Sequence, residues 1–172
     1  MAKTEKPRPV AAIAPGVLGT TGMETAEILL GLVRQIQPRL VIAVDALAAR
    51  STRRLGTTVQ LADAGIHPGS GIGNRRFAIN QTFLGVPCLA VGVPTVVHAV
   101  TIVHDALSEL GAGAPVQPPI VRDVLQPYLG ELVVTPKDID TLVEDAASVV
   151  AQALDRALVP DPEVLNRALA HL

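Results

Sequence analysis

Four side chains in the middle of this sequence have types that could do chemistry: Asp45, Asp63, His67 and His98. Asp45 and Asp63 are the only carboxylates between Glu27 and Asp105. Two carboxylates held close together can share a proton and activate a water molecule. The same pair, with His67 or His98, could instead offer oxygen and imidazole ligands to a divalent metal. Their spacings match no strict metal motif, so neither a metal nor a cofactor is expected. Plainer readings stand beside these. An Asp that follows a strand often caps the next helix, His67 reads as a loop residue, and His98 reads as a neutral residue in the first turn of a helix, where the dipole disfavours its charged form.

A glycine-rich loop follows Asp63: Pro68-Gly69-Ser70-Gly71-Ile72-Gly73-Asn74. It lacks the Lys-Ser/Thr ending of a phosphate loop, and no strand feeds it as a dinucleotide fingerprint requires. It is either a tight structural loop or a backbone surface for an extended peptide or an oxyanion. In the second reading His67, Gly69, Ser70, Gly71, Gly73 and Asn74 line the cleft. Ser70 has no base at a readable spacing. Cys88 reads as a buried, inert thiol, and Arg50, Arg53 and Arg54 as a solvated basic face.

These residues need elements to position them. Leu40-Val41-Ile42-Ala43-Val44 is a continuous apolar run ending in Asp45, the pattern of a strand covered on both faces of a parallel sheet. In open α/β sheets, function collects beyond the carboxyl ends of strands, which is where Asp45 is expected. Val10–Ala14 reads as an earlier strand. Between the two, Ile28, Leu29, Leu32, Val33 and Ile36 fall at helical spacing, with Thr21 and Glu24 at capping-box spacing and Pro38 as the stop. A short helix or turn is expected over Ala46–Arg54, an exposed strand over Thr57–Leu61 and a buried strand over Val86–Val91. A buried helix is expected from Pro94 to Leu110, and a short helix or irregular segment over 120–129. Thr135-Pro136 predicts the start of a last long helix, striped by Ile139, Leu142, Val143, Ala146, Val150, Ala153, Leu154 and Leu158. The expectation is a flexible lead at 1–9 and a single α/β domain over 10–172, with a twisted, mostly parallel sheet flanked by helices.

Composition excludes several classes. The 172 residues are 49% hydrophobic and 17% charged, which argues against disorder. A net charge of -2 gives no case for nucleic acid, and a single cysteine allows no disulfide framework. No Asp, Glu, Lys or Arg occurs from Phe77 to His104. Pro87, Pro94, Gly85 and Gly92 cut that stretch into pieces too short for a membrane span. No signal peptide is recognisable at the start, so the expected compartment is the cytoplasm.

Several stretches together resemble one family. They are Ala14-Pro15-Gly16-Val17-Leu18-Gly19-Thr20-Thr21-Gly22-Met23-Glu24-Thr25, Val41 to Arg50, Asp63 to Asn74, Val91-Gly92-Val93-Pro94-Thr95-Val96-Val97 and Val133 to Asp140. They are similar to the germination protease of endospore-forming bacteria, over about Val10 to Leu158. The resemblance implies an endopeptidase that degrades small acid-soluble spore proteins in the spore core. It also implies a fold like that of the hydrogenase maturation proteases and a tetrameric, aspartic-type enzyme. Two aspartates are implied, the second mapping onto Asp45. The first belongs to a segment of the type Gly-Asn-x-x-x-Thr-Pro-Asp-x-Leu-Gly-Pro, which has no counterpart here, so the chain reads as the C-terminal part of the family fold. Asp63 is the internal candidate to replace that aspartate. His98 stands where the resemblance implies Asp. Two other readings remain open: a non-catalytic remnant that folds, oligomerises or binds peptides, and a metal-binding protein like the maturation proteases. A sheet shortened in this way should carry an unpaired edge.

Overall fold

The computed structural model describes residues 9–16, 18–68, 77–110, 123–125, 127 and 132–158. The chain divides into two compact units, Pro15–Ile139 and a second formed by Met1–Ala14 with Asp140–Leu172.

The first unit is α/β, with helices packed on a sheet. Its elements are α1 (Leu18–Thr21), α2 (Thr25–Ile36), β1 (Val41–Ala49), a 3₁₀ turn (Thr52–Arg54), β2 (Gln60–Ala62), α3 (Gln81–Leu84), β3 (Cys88–His98), α4 (Ala99–Glu109) and β4 (Val133–Val134). The sheet runs β1-β3-β2, with β4 also on β3. It is mixed: β1 lies parallel to β3, while β2 and β4 are antiparallel to it. The apolar side of α2 (Ala26, Leu29, Leu30, Val33) packs over Val41, Ala43, Leu47, Cys88 and Ala90, and Ile66, Ile79 and Leu84 complete that core. With so few aromatics the core is aliphatic.

α2 forms where its spacing predicts, but the capping box does not. Glu24 is the N-cap and its side chain makes no cap bond. Thr21 instead ends α1, and its hydroxyl accepts from the Met23 amide at 3.1 Å. Gln37 closes α2 in the left-handed region at φ 52°, its amide reaching the Val33 carbonyl, before Pro38 prevents continuation.

The two main strands run further than their sequences indicate. β1 continues through Asp45 to Ala49 instead of turning helical after the carboxylate. β3 continues through Pro94 to His98, so α4 begins at Ala99 and not at Pro94. Each strand is the reason for the other's length, because the ladder between them spans Val41↔Cys88 to Ala49↔Val97. Leu47 pairs with Pro94 and Ala48 with Val96, leaving Thr95 as an extra residue. Pro94, beside this bulge, is tolerated inside the sheet because its peptide groups turn away from β1 and β2 pairs no further than Gly92. The Pro94 carbonyl takes the Gly56 amide at 2.7 Å, and the Thr95 carbonyl takes the Thr135 hydroxyl at 3.0 Å. Thr135 is therefore tied to the bulge, and the last helix starts at Ile139.

Two other expectations shift. β2 is shorter and later than the Thr57–Leu61 expectation, because Thr57 and Thr58 turn back to donate their hydroxyls to the Arg53 and Arg54 carbonyls. Val10–Ala14 forms no strand, since an apolar run becomes one only with a ladder partner. Helical backbone occurs at 123–125 and 127, inside the segment read as a short helix.

The second unit contains α5 (Ile139–Leu158) from Asp140 onward. Its inner stripe is Ile139, Leu142, Ala146, Val150, Leu154 and Leu158, while Val143 and Ala153 are exposed. No helix among the described residues is long and apolar enough to cross a membrane.

Candidate active site

Asp45 lies in the middle of β1, not at its end. Across the ladder it faces Gly92, and Gly92 faces Gln60 of β2 on the other side. Asp45 is half-buried and points to the same side of the sheet as Val41, Ala43 and Leu47, which meet the core beneath α2. Its Oδ1 accepts the Ala46 amide at 2.9 Å. Val41 donates its amide to the Pro87 carbonyl. In a parallel ladder alternate residues turn both peptide groups the same way, so Ala43 and Asp45 face β3, while Ile42, Val44 and Ala46 face away from it. The Asp45 carboxylate therefore sits on the outer edge of β1, bonded to an outward amide.

Asp63 is exposed, in the turn after β2. Ala62 pairs with Ala90, two residues before Gly92. Two strand spacings across the sheet and three residues along it put the backbones of Asp45 and Asp63 about 14 Å apart. They do not form a dyad in this arrangement. His67 is exposed beside the isolated Ile66–Ile79 bridge. His98 ends β3 opposite Val133 and is the N-cap of α4, six residues beyond Gly92 and so about 20 Å along the strand. Asp45, His67 and His98 are thus not gathered, and no group of three metal-ligating side chains occurs among the described residues. Gly69, Ser70, Gly71, Gly73 and Asn74 lie outside the described residues.

A polar cluster that sequence reasoning missed lies between α4 and the 3₁₀ turn. Asp105 Oδ2 accepts the Thr52 amide at 2.7 Å, the Thr52 hydroxyl at 2.8 Å and the Ser51 hydroxyl at 3.1 Å. His104 Nδ1 lies 3.5 Å from Oδ1. Burial pushes the Asp105 carboxyl up, but the bonds from Thr52, Ser51 and His104 outweigh it and hold the group below its ordinary value. Arg53 and Glu109 form an exposed ion pair alongside. The signal for this clamp was a lone Asp within an apolar helix and a Ser-Thr pair just past a strand, but their separation in sequence hid the link. Glu24 Oε1 is buried with no hydrogen-bond partner among the described residues. Cys88 is buried as expected, and burial raises its pKa.

Comparison with known proteins decides the family. The sequence model of the germination protease family matches residues 3–110. The chain belongs to the germination protease family. It is similar to the germination protease of Caldanaerobacter subterraneus, 46% identical over 89% of this chain and 53% of the relative. It is 43% identical to the germination protease of Clostridium perfringens over 90% of this chain and 53% of that protein. With that of Bacillus velezensis the identity is 38%, over 88% of this chain and 54% of the relative. The chain thus spans about half the length of the germination proteases it matches. The motif containing Asp45 and that running through the Pro94 bulge both fall inside the span matched by the family, so β1 and β3 are family elements.

Proposed function

We propose that this chain serves as an endopeptidase that initiates the degradation of small acid-soluble spore proteins during germination, within the cytoplasm of the spore core and as a homo-oligomer. The observation that supports this most is family membership over a span that includes the Asp45 motif.

In this reading Asp45 is the catalytic carboxylate. It orients or activates a water molecule against the scissile carbonyl, in concert with a second carboxylate that shares its proton. Proton sharing needs two carboxyl groups in near contact. At the separation of their backbones Asp63 does not share that proton, and in this reading it, His67 and the glycine loop Gly69-Ser70-Gly71-Ile72-Gly73-Asn74 serve to receive the substrate.

The test is cleavage of a purified small acid-soluble spore protein by the 172-residue chain and by Asp45→Asn. Loss of about 10²–10⁴-fold in rate in the variant is expected for removal of general acid–base work. Equal cleavage by both would remove Asp45 from the chemistry, and no cleavage by either would overturn the reading for this chain alone.

A further inference from the structure

Glu24 is the N-cap of α2, a position that suits Ser, Thr, Asp or Asn. Its side chain makes no cap bond, and its Oε1 is buried without a hydrogen-bond partner among the described residues. A buried acceptor left unpaired costs free energy that an apolar side chain in its place would not. The loop that carries it is well tied. Thr25 donates its hydroxyl to the Gly16 carbonyl at 3.4 Å, the Gly22 amide reaches the Leu18 carbonyl at 2.8 Å, and the Met23 amide reaches the Thr21 hydroxyl at 3.1 Å. Leu18 and Met23 are exposed on that loop.

The topology carries this carboxylate towards Asp45. α2 lies on the sheet face of Val41, Ala43 and Leu47, which is also the face of Asp45. Only residues 37–40 join α2 to β1, so the helix runs back along the strand. From Ile36 to Glu24 is about 18 Å of helix, the length of about five strand residues. Counted from Val41, that reaches Ala46. Ala26 is fully buried, so the first turn of α2 still lies over the core. With about 10 Å between packed layers, the backbones of Glu24 and Asp45 lie about 12 Å apart.

We infer that Glu24 is a substrate-binding residue of the Asp45 site, its Oε1 accepting a main-chain amide of an extended peptide and setting the register of the scissile bond. The inference rests on the proposed function and deepens it. At about 3.3 Å per residue, the amide belongs to a residue within about three positions of the bond at Asp45. Glu24 as a whole is half-buried, so its charge keeps contact with water and one neutral donor completes it. Leu18 and Met23 beside it offer apolar contact to neighbouring side chains of the peptide.

The experiment compares the 172-residue chain with Glu24→Leu and Glu24→Gln, using synthetic peptides that tile a small acid-soluble spore protein. Cleavage gives kcat and KM. Binding is measured separately by calorimetry on the Asp45→Asn background, with copies of the bound peptide in which one amide at a time is replaced by an ester. Glu24→Leu should raise KM and Kd about ten- to a hundredfold, while kcat stays within about threefold. Glu24→Gln keeps an acceptor oxygen and should recover most of the binding. The ester at one position should weaken binding by as much as Glu24→Leu does, and should cost nothing further in that variant. Glu24→Leu should melt no lower than the wild type, because it removes an unpaired polar atom from a buried position.

Unchanged KM and Kd in Glu24→Leu would overturn the inference, and so would ester and Glu24→Leu losses that simply add. Lower melting temperatures in both variants, with binding by the folded protein intact, would assign Glu24 to the fold and equally overturn it. Cleavage by the wild type with a KM indifferent to Glu24 would leave the endopeptidase reading standing without this contact. Glu24-dependent binding without cleavage by the wild type would do the reverse, keeping Glu24 as a peptide-binding residue. Neither cleavage nor binding of any peptide would sink both.

Discussion

The side chain of Leu47 lies across Gly92. A Cβ built on Gly92 would sit 2.7 Å from Leu47 Cγ and closer still to Cδ1. Both residues are one step from Asp45: Leu47 is the next residue on the same face of β1, and Gly92 faces Asp45 across the ladder. The glycine is thus a packing requirement of the strand pair that carries the carboxylate.

Gly92→Ala should therefore cost about 1–3 kcal/mol, the usual range for an extra methyl group forced into a filled core. Leu47→Ala in the same chain should restore part of the loss. Thermal or urea denaturation of the two single variants and the double variant measures the coupling, and simple additivity would refute the steric account.

Asp105→Asn should destabilise the chain by about 1–3 kcal/mol at neutral pH, because three donors are left facing a neutral amide. The sign of the pH dependence follows from a carboxyl held below its ordinary value. Its contribution is complete above the ordinary carboxylate range and is lost as the pH falls through the lowered value. Denaturation midpoints of wild type and variant should converge on acidification, and a constant difference from neutral pH to pH 2 would contradict the assignment.

Val97 and Val44 make a matched pair. Val97 is 1% exposed in β3, whereas Val44 is open on β1. Val97→Ala should cost about 2 kcal/mol, from two lost methyl groups and the cavity they leave. Val44→Ala should change stability by less than about 0.5 kcal/mol in the chain alone. Equal losses in chemical denaturation would mean that Val44 is covered.

Cys88 should react slowly with a thiol reagent in the native state. It is buried, its Sγ lies 3.6 Å from the Ile79 carbonyl, and burial disfavours its thiolate. Modification followed by mass spectrometry should accelerate only under conditions that unfold β3. Rapid labelling in native buffer would show the opposite.

Local sequence determined the elements whose cause is local. The spacing of Ile28, Leu29, Leu32, Val33 and Ile36 specified α2, and the stripe from Ile139 to Leu158 specified α5, because a helix satisfies its backbone within its own segment. The motifs around Asp45 and Pro94 sufficed to indicate the family. What tertiary structure decided is the extent and pairing of the strands, since a strand's bonds are made to a distant partner. Asp45 read as the end of a strand and lies in the middle of one, because β3 continues to pair beyond it. Pro94 read as a helix start and lies within β3, where its peptide groups turn away from β1 and β2 pairs no further than Gly92, so no ladder bond needs its amide. The Asp105 clamp joins groups more than fifty residues apart, and Asp63 is set apart from Asp45 by the strand that runs between β1 and β2. Residue type named the carboxylates; only the strand order fixed which of them could meet.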